Sequence, residues 1–305
     1  MTQSFERPSR PFHGADYLLQ AANEDPDLMQ ANEAFPEPRL PYAALFGPSM
    51  LRSARVPLLV GAYAASLLLF LAVEPTRPWI LLVVTGLVAL GADGILREHP
   101  QSRLESDVAW TVPLLFLPTL MALASGLVLE DVVDGYLVVP GTLAAAALMG
   151  AVLYADYVSI DGDHPSYPTA RFVLNVGTYL TGFAFYAAVY AYGVSLVPAA
   201  IVVGLVSLLL SVEVLREAEA DPIRALVFAG VVGIIVAEAR WALYFLPLES
   251  YLAGVFLLLV FYMVSGLVQH HLNDDLDGPV IIEFASIALV GVLIVTLGRV
   301  FEAGS

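Results

Sequence analysis

Leu196-Val197-Pro198-Ala199-Ala200-Ile201-Val202-Val203-Gly204-Leu205-Val206-Ser207-Leu208-Leu209-Leu210-Ser211-Val212 is an apolar run whose first ionisable residue is Glu213, and the apolar pattern closes at Leu215. About 20 mainly apolar residues in a helix cross about 30 Å of hydrocarbon. A helix satisfies its own backbone groups in lipid, and a barrel strand is only about half this length. Residues 196–215 therefore read as a transmembrane helix. Outward from it the same pattern recurs near 56–73, 78–96, 108–129, 136–157, 171–192, 223–246, 250–270 and 280–300. The expected fold is all-α: a polytopic transmembrane helical bundle of about nine spans over residues 55–305. The connections carry turn-forming residues, as in Glu74-Pro75-Thr76-Arg77-Pro78, Asp161-Gly162-Asp163-His164-Pro165, Asp221-Pro222 and Asp277-Gly278-Pro279. Only Gly193-Val194-Ser195 separates the fifth span from the sixth.

Composition agrees. Of 305 residues, 59% are hydrophobic and 14% charged, with a mean hydropathy of +0.79; a soluble domain is nearer half apolar and a quarter charged. The 13 basic residues are all Arg, so Schiff-base chemistry on lysine is excluded. There is no Cys, which removes disulfides, thiolate metal sites and cysteine nucleophiles. A net charge of -16 argues against a nucleic-acid partner, because phosphate backbones are bound by clustered cations.

The arginines set the orientation. With the N-terminus cytoplasmic, that side receives Arg7, Arg10, Arg39, Arg52, Arg55, Arg97, Arg103, Arg171, Arg216 and Arg224. The far side receives Arg77 and Arg299, and Arg240 lies inside a span. The expected location is the plasma membrane, with the lipid bilayer as the first partner. Residues 1–54 are acidic and Pro-rich, without a secretory or lipidation signal, and read as a largely disordered cytosolic tail. A short helix through Ala15–Ala22 ends at Asp25-Pro26. Phe35-Pro36-Glu37-Pro38 and Tyr42 to Phe46 are the segments suited to docking a protein partner.

A charge in lipid is costly unless it is paired or faces water. Asp93 with Arg97, and Glu213 with Arg216, have helical spacing and are expected to pair; Glu217 lies four beyond Glu213. Asp156 ends the fourth span and Glu283 opens the ninth, both as interface anchors. Glu238 lies about 21 Å along the seventh span from Arg224, the deepest carboxylate in the chain. Glu238 and Arg240 are two apart and point to different faces, so they are not expected to pair with each other. Arg240 and Trp241 belong near the outer interface. Glu238 and Arg240 are the intramembrane functional candidates, and Glu238 is the one suited to a proton or cation relay, against the alternative of a neutral carboxyl holding helices together.

The loop His270-His271-Leu272-Asn273-Asp274-Asp275-Leu276-Asp277 and the cluster Asp161-Gly162-Asp163-His164 fall on one side of the membrane. Carboxylates suit Mg²⁺, and imidazole adds affinity for Zn²⁺. Asp161, Asp163, His271, Asp274 and Asp275 are thus candidate ligands for Mg²⁺ or Zn²⁺, against the reading of solvated acidic loops. Catalytic templates fail. The Asp-rich motifs of membrane prenyltransferases, the Glu-Glu-x-x-x-Arg of CAAX-type proteases, His-Glu-x-x-His and Gly-x-Ser-x-Gly are absent, and Asp93-Gly94 begins an alcohol-phosphotransferase motif that does not continue.

Glu238-Ala239-Arg240-Trp241-Ala242-Leu243-Tyr244-Phe245-Leu246-Pro247, then Phe261-Tyr262-Met263-Val264-Ser265-Gly266-Leu267, then Glu283, resemble a family of prokaryotic multi-pass membrane proteins of unknown function. The resemblance covers residues 213–299 and implies no activity, substrate or cofactor. In the same segment Gly254, Ser265 and Gly266 suit close helix approach. Three readings follow for function. The first is a non-catalytic subunit, scaffold or assembly factor; the second a small-solute or ion transporter using Glu238; the third a metal-dependent enzyme on a lipid or isoprenoid substrate.

Overall fold

The protein is described here by a computed structural model covering residues 55–72, 78–99, 112–133, 135–216, 218, 221–246 and 249–303. Residues 1–54, on which the disordered-tail and partner-docking expectations rest, lie outside the described residues, as do Arg77, Arg103 and Glu217. Nine α-helices and no strand occur among the described residues: α1 (Arg55–Ala72), α2 (Pro78–Leu96), α3 (Phe116–Val132), α4 (Val138–Val158), α5 (Tyr167–Ala191), α6 (Leu196–Leu215), α7 (Pro222–Leu243), α8 (Ser250–Leu272) and α9 (Gly278–Ala303). Single 3₁₀ turns, Pro113–Leu115 and Gly135–Leu137, lead into α3 and α4.

Eight of these helices are long and apolar enough to cross a membrane; for α6, mean hydropathy reaches 2.3. The described apolar part of α9, Gly278–Leu293, is shorter than a full span. The described part of the third span begins at Pro113, positions 108–111 of the expected span lying outside the described residues, and α5 begins at Tyr167, before the expected 171. Both starts have a proline in the first turn, where the missing N–H costs nothing.

The bundle is built around α5, which packs against α3, α4, α6 and α8. About 56% of its apolar window is buried, against 22% for α1 at the edge. Small residues allow the closest approaches. A Cβ on Gly233 of α7 would stand 2.6 Å from the carbonyl oxygen of Gly204 on α6, so these two backbones meet almost directly. Gly254 of α8 meets Ala187 of α5, and Gly266 receives the ring of Phe284 from α9, as expected for these glycines. Buried hydroxyls add interhelical links. Tyr186 Oη and Ser207 Oγ are 2.7 Å apart between α5 and α6, and Tyr63 bonds Ser125 between α1 and α3.

The shortest connection is resolved by one glycine. Gly193 has φ +59°, its N–H donates to Tyr190 O at 3.0 Å, and the Val194 N–H donates to Val189 O at 3.2 Å. That paired pattern is a Schellman cap, and the left-handed residue at its centre favours glycine. It ends α5 and lets α6 restart at Leu196.

Candidate functional site: a buried charge cluster

Short connections make consecutive helices antiparallel. The C-termini of α4 and α6 and the N-terminus of α5 therefore meet at one end of the bundle. Each brings charge inward: Asp156 in the last turn of α4, Arg171 in the second turn of α5, Glu213 in the last turn of α6, and Arg216 at its C-cap. Asp156 is fully buried, Glu213 is 1% exposed and Arg171 6%.

Glu213 Oε1 accepts from Arg171 Nη1 at 3.1 Å and from Arg216 Nη2 at 3.0 Å. Arg216 Nη2 also donates to Ser159 Oγ at 3.0 Å, and Ser159 Oγ donates to the Asp156 carbonyl at 2.8 Å. The expected Glu213–Arg216 pair is therefore present, but as part of a larger network. Two guanidinium groups, the buried Arg171 and the partly exposed Arg216, balance two buried carboxylates, the pairing that buried charge requires. The balance of direct contacts is unequal. Glu213 takes both arginines through one oxygen, while Glu213 Oε2 and both carboxylate oxygens of Asp156 are buried without a hydrogen-bond partner. Asp156 feels Glu213, Arg216 and Arg171 electrostatically, without a direct bond to any of them.

Beside the cluster, His99 is buried after the end of α2, its ring edge-on to Tyr157 at 4.6 Å. Burial lowers its pKa from the usual imidazole range; Asp161 opposes that shift and His164 adds to it. Asp93 and Arg97 form the expected pair at 2.7 Å, half-exposed on α2, and Arg55 pairs with Glu98.

The acidic loops spend their groups locally. Asp161 Oδ1 accepts the Asp163 N–H at 3.2 Å, closing its own turn, and His164 Nδ1 accepts the Ser166 N–H at 3.1 Å. In the other loop Asp275 Oδ1 lies 3.0 Å from His270 Nδ1 rather than at His271, whose ring instead meets Phe228 edge-on at 6.2 Å. Asp274 is exposed, with φ +56° at the turn. Among the described residues no three His, Asp or Glu side chains are grouped to hold a metal ion, so Asp161, Asp163, His271, Asp274 and Asp275 do not assemble an Mg²⁺ or Zn²⁺ centre there.

The packing of α7 separates Glu238 from Arg240. The buried positions of this helix, Ala225, Ala229, Val232, Val236, Arg240 and Leu243, follow three- and four-residue steps. That stripe includes Arg240 and leaves Glu238 exposed on the outer face. The two do point to different faces, but the buried one is the arginine. Arg240 is 4% exposed, whereas Trp241 is 46% exposed at the rim. The Arg240 guanidinium carbon stands 4.2 Å from the centre of the Tyr190 ring. Its Nε and Nη1 are buried with no acceptor, and so is Tyr190 Oη. A desolvated cation–π contact contributes about 2 kcal/mol, less than the several kcal/mol lost when a charge leaves water.

Glu283 is exposed early in α9. A cleft of about 460 Å³ lies between α8 and α9 beside Tyr179 and is lined by apolar side chains apart from Ser286 and the two tyrosines Tyr179 and Tyr262.

No curated protein and no solved structure matches the chain. One family model does, described as a protein of unknown function (DUF5656), over residues 70–298. The likeness noticed in residues 213–299 thus extends through most of the bundle, including Asp156, Arg171 and Glu213. The chain belongs to the DUF5656 family.

Proposed function

We propose that this is a multi-pass protein of the plasma membrane, with nine spans and a cytoplasmic N-terminal tail, that carries an ion or small solute through the buried charge cluster. The observation that supports transport is Asp156. A carboxylate withdrawn from water and lipid, with neither oxygen hydrogen-bonded, is kept where an ion or proton can be exchanged against it. The role first assigned to Glu238 passes to Asp156 and Glu213. The close-packed α6–α7 pair leaves no open pore between these helices and fits a carrier better than a channel. By the arginine distribution, the cluster faces the cytoplasmic end.

The test is flux in proteoliposomes holding a pH-sensitive dye, under an imposed proton or sodium gradient. Wild-type protein is expected to dissipate the gradient faster than empty liposomes, and Asp156→Asn to slow it at least 10-fold. Equal rates for wild type and Asp156→Asn would remove the cluster from the mechanism.

A second reading, a subunit or scaffold in a larger complex, is favoured by α9. Its substantial contacts are with α8, and Ile282, Leu289 and Leu293 face away from the bundle. Gentle extraction followed by native mass spectrometry checks it: a retained second polypeptide supports a subunit, and a bare chain counts against it.

A further inference from the structure

We infer that Arg240 and Tyr190 form a binding site for a phosphate group, at the end of the bundle opposite the charge cluster and independent of the transport reading. A guanidinium cannot shed its charge at any pH a protein survives. Arg240 therefore stays cationic with 4% of its surface exposed. Glu238 on the same helix is exposed, as is Glu249 at the start of α8. Glu130 accepts the Tyr192 hydroxyl at 3.1 Å. The buried atoms left without a partner there are Arg240 Nε and Nη1 and the Tyr190 hydroxyl, each able to donate a hydrogen bond. The Tyr190 ring holds the guanidinium 4.2 Å from its centre, with Nε–H and Nη1–H left without an acceptor. Unspent donors around a fixed cation are the complement of an oxyanion.

Depth selects phosphate. Arg240 lies three residues before the end of α7 at Leu243, or about 4.5 Å along the axis. The exposed aromatic rings of Trp241 and Tyr244 beside it mark the headgroup level. Lipid phosphates lie at that level, and arginine matches phosphate geometry with paired hydrogen bonds. The group bound is a phosphate, supplied by a lipid headgroup or by free phosphate from the aqueous side.

The experiment is thermal unfolding of the purified full chain in neutral detergent. Dioleoylphosphatidylglycerol, dioleoylglycerol lacking a phosphate, and inorganic phosphate are added separately. The expected result is a rise in Tm of several degrees with the phospholipid and none with dioleoylglycerol. A rise with inorganic phosphate as well assigns the free ion to the same site. Arg240→Gln abolishes the rise. Tyr190→Phe keeps the stacked ring, removes one donor, and weakens the apparent affinity about 5-fold at an unchanged starting Tm; it serves as the readout if Arg240→Gln fails to fold. No shift with either phosphate source, or an undiminished shift in both variants, would overturn the site.

Discussion

Arg171 and Glu213 are 42 positions apart and meet at 3.1 Å with almost no solvent between them. Glu213→Gln strands Arg171, and Arg171→Leu leaves Glu213 with the partly exposed Arg216 as its arginine partner, so either change is expected to destabilise the bundle by about 3–5 kcal/mol in detergent unfolding. The double variant Arg171→Leu/Glu213→Leu should recover much of that loss. If the single changes are nearly silent, the pair is solvated and the cluster is not closed. His99 supplies the pH dependence. Its folded-state pKa is lowered by burial, so the unfolded chain binds the proton more readily. The stability that its neutral ring contributes is complete above the ordinary imidazole range and is lost as pH falls through the depressed folded value. Tm measured downward from neutral pH should therefore fall, and His99→Gln should flatten the fall.

Among the elements, the sequence was most legible where composition alone decides. The bounds of α2 and α6 coincide with the expected spans, and the turn at Gly193 is present. Pairs within one helix, Asp93–Arg97 and Glu213–Arg216, were also legible because spacing places them on one face. Arg171 was not recognisable as Glu213's partner, since contacts between helices leave no mark in a single chain. The inversion of Glu238 and Arg240 did leave one: Ala225, Ala229 and Gly233 trace the inward stripe of α7, and continuing it reaches 236 and 240 rather than 238. Helix contact gives the prediction at this scale. Gly233→Ala puts a methyl 2.6 Å from a backbone oxygen of α6 that cannot rotate away. It should cost about 1–3 kcal/mol by overpacking, read in the same unfolding assay. Gly61→Ala, with nothing within 4 Å of its Cβ position, is the matched control and should be neutral or mildly stabilising.

For the whole molecule, the helices alternate in direction, so the 159–166 and 273–277 connections lie at the charge-cluster end and 192–195 at the Arg240 end. In the proposed reading, arginine placement orients that polarity across the membrane. The chain contains no cysteine, so any thiol label reports only on the one introduced. The measurement is single-cysteine labelling of intact cells with a membrane-impermeant maleimide, using Ser195→Cys and Asp163→Cys, both at exposed positions. The account predicts that Ser195→Cys labels from outside and Asp163→Cys only after the membrane is opened. Labelling of both from the same side, or the reverse order, would contradict a multi-pass bundle with its charge cluster at the cytoplasmic end.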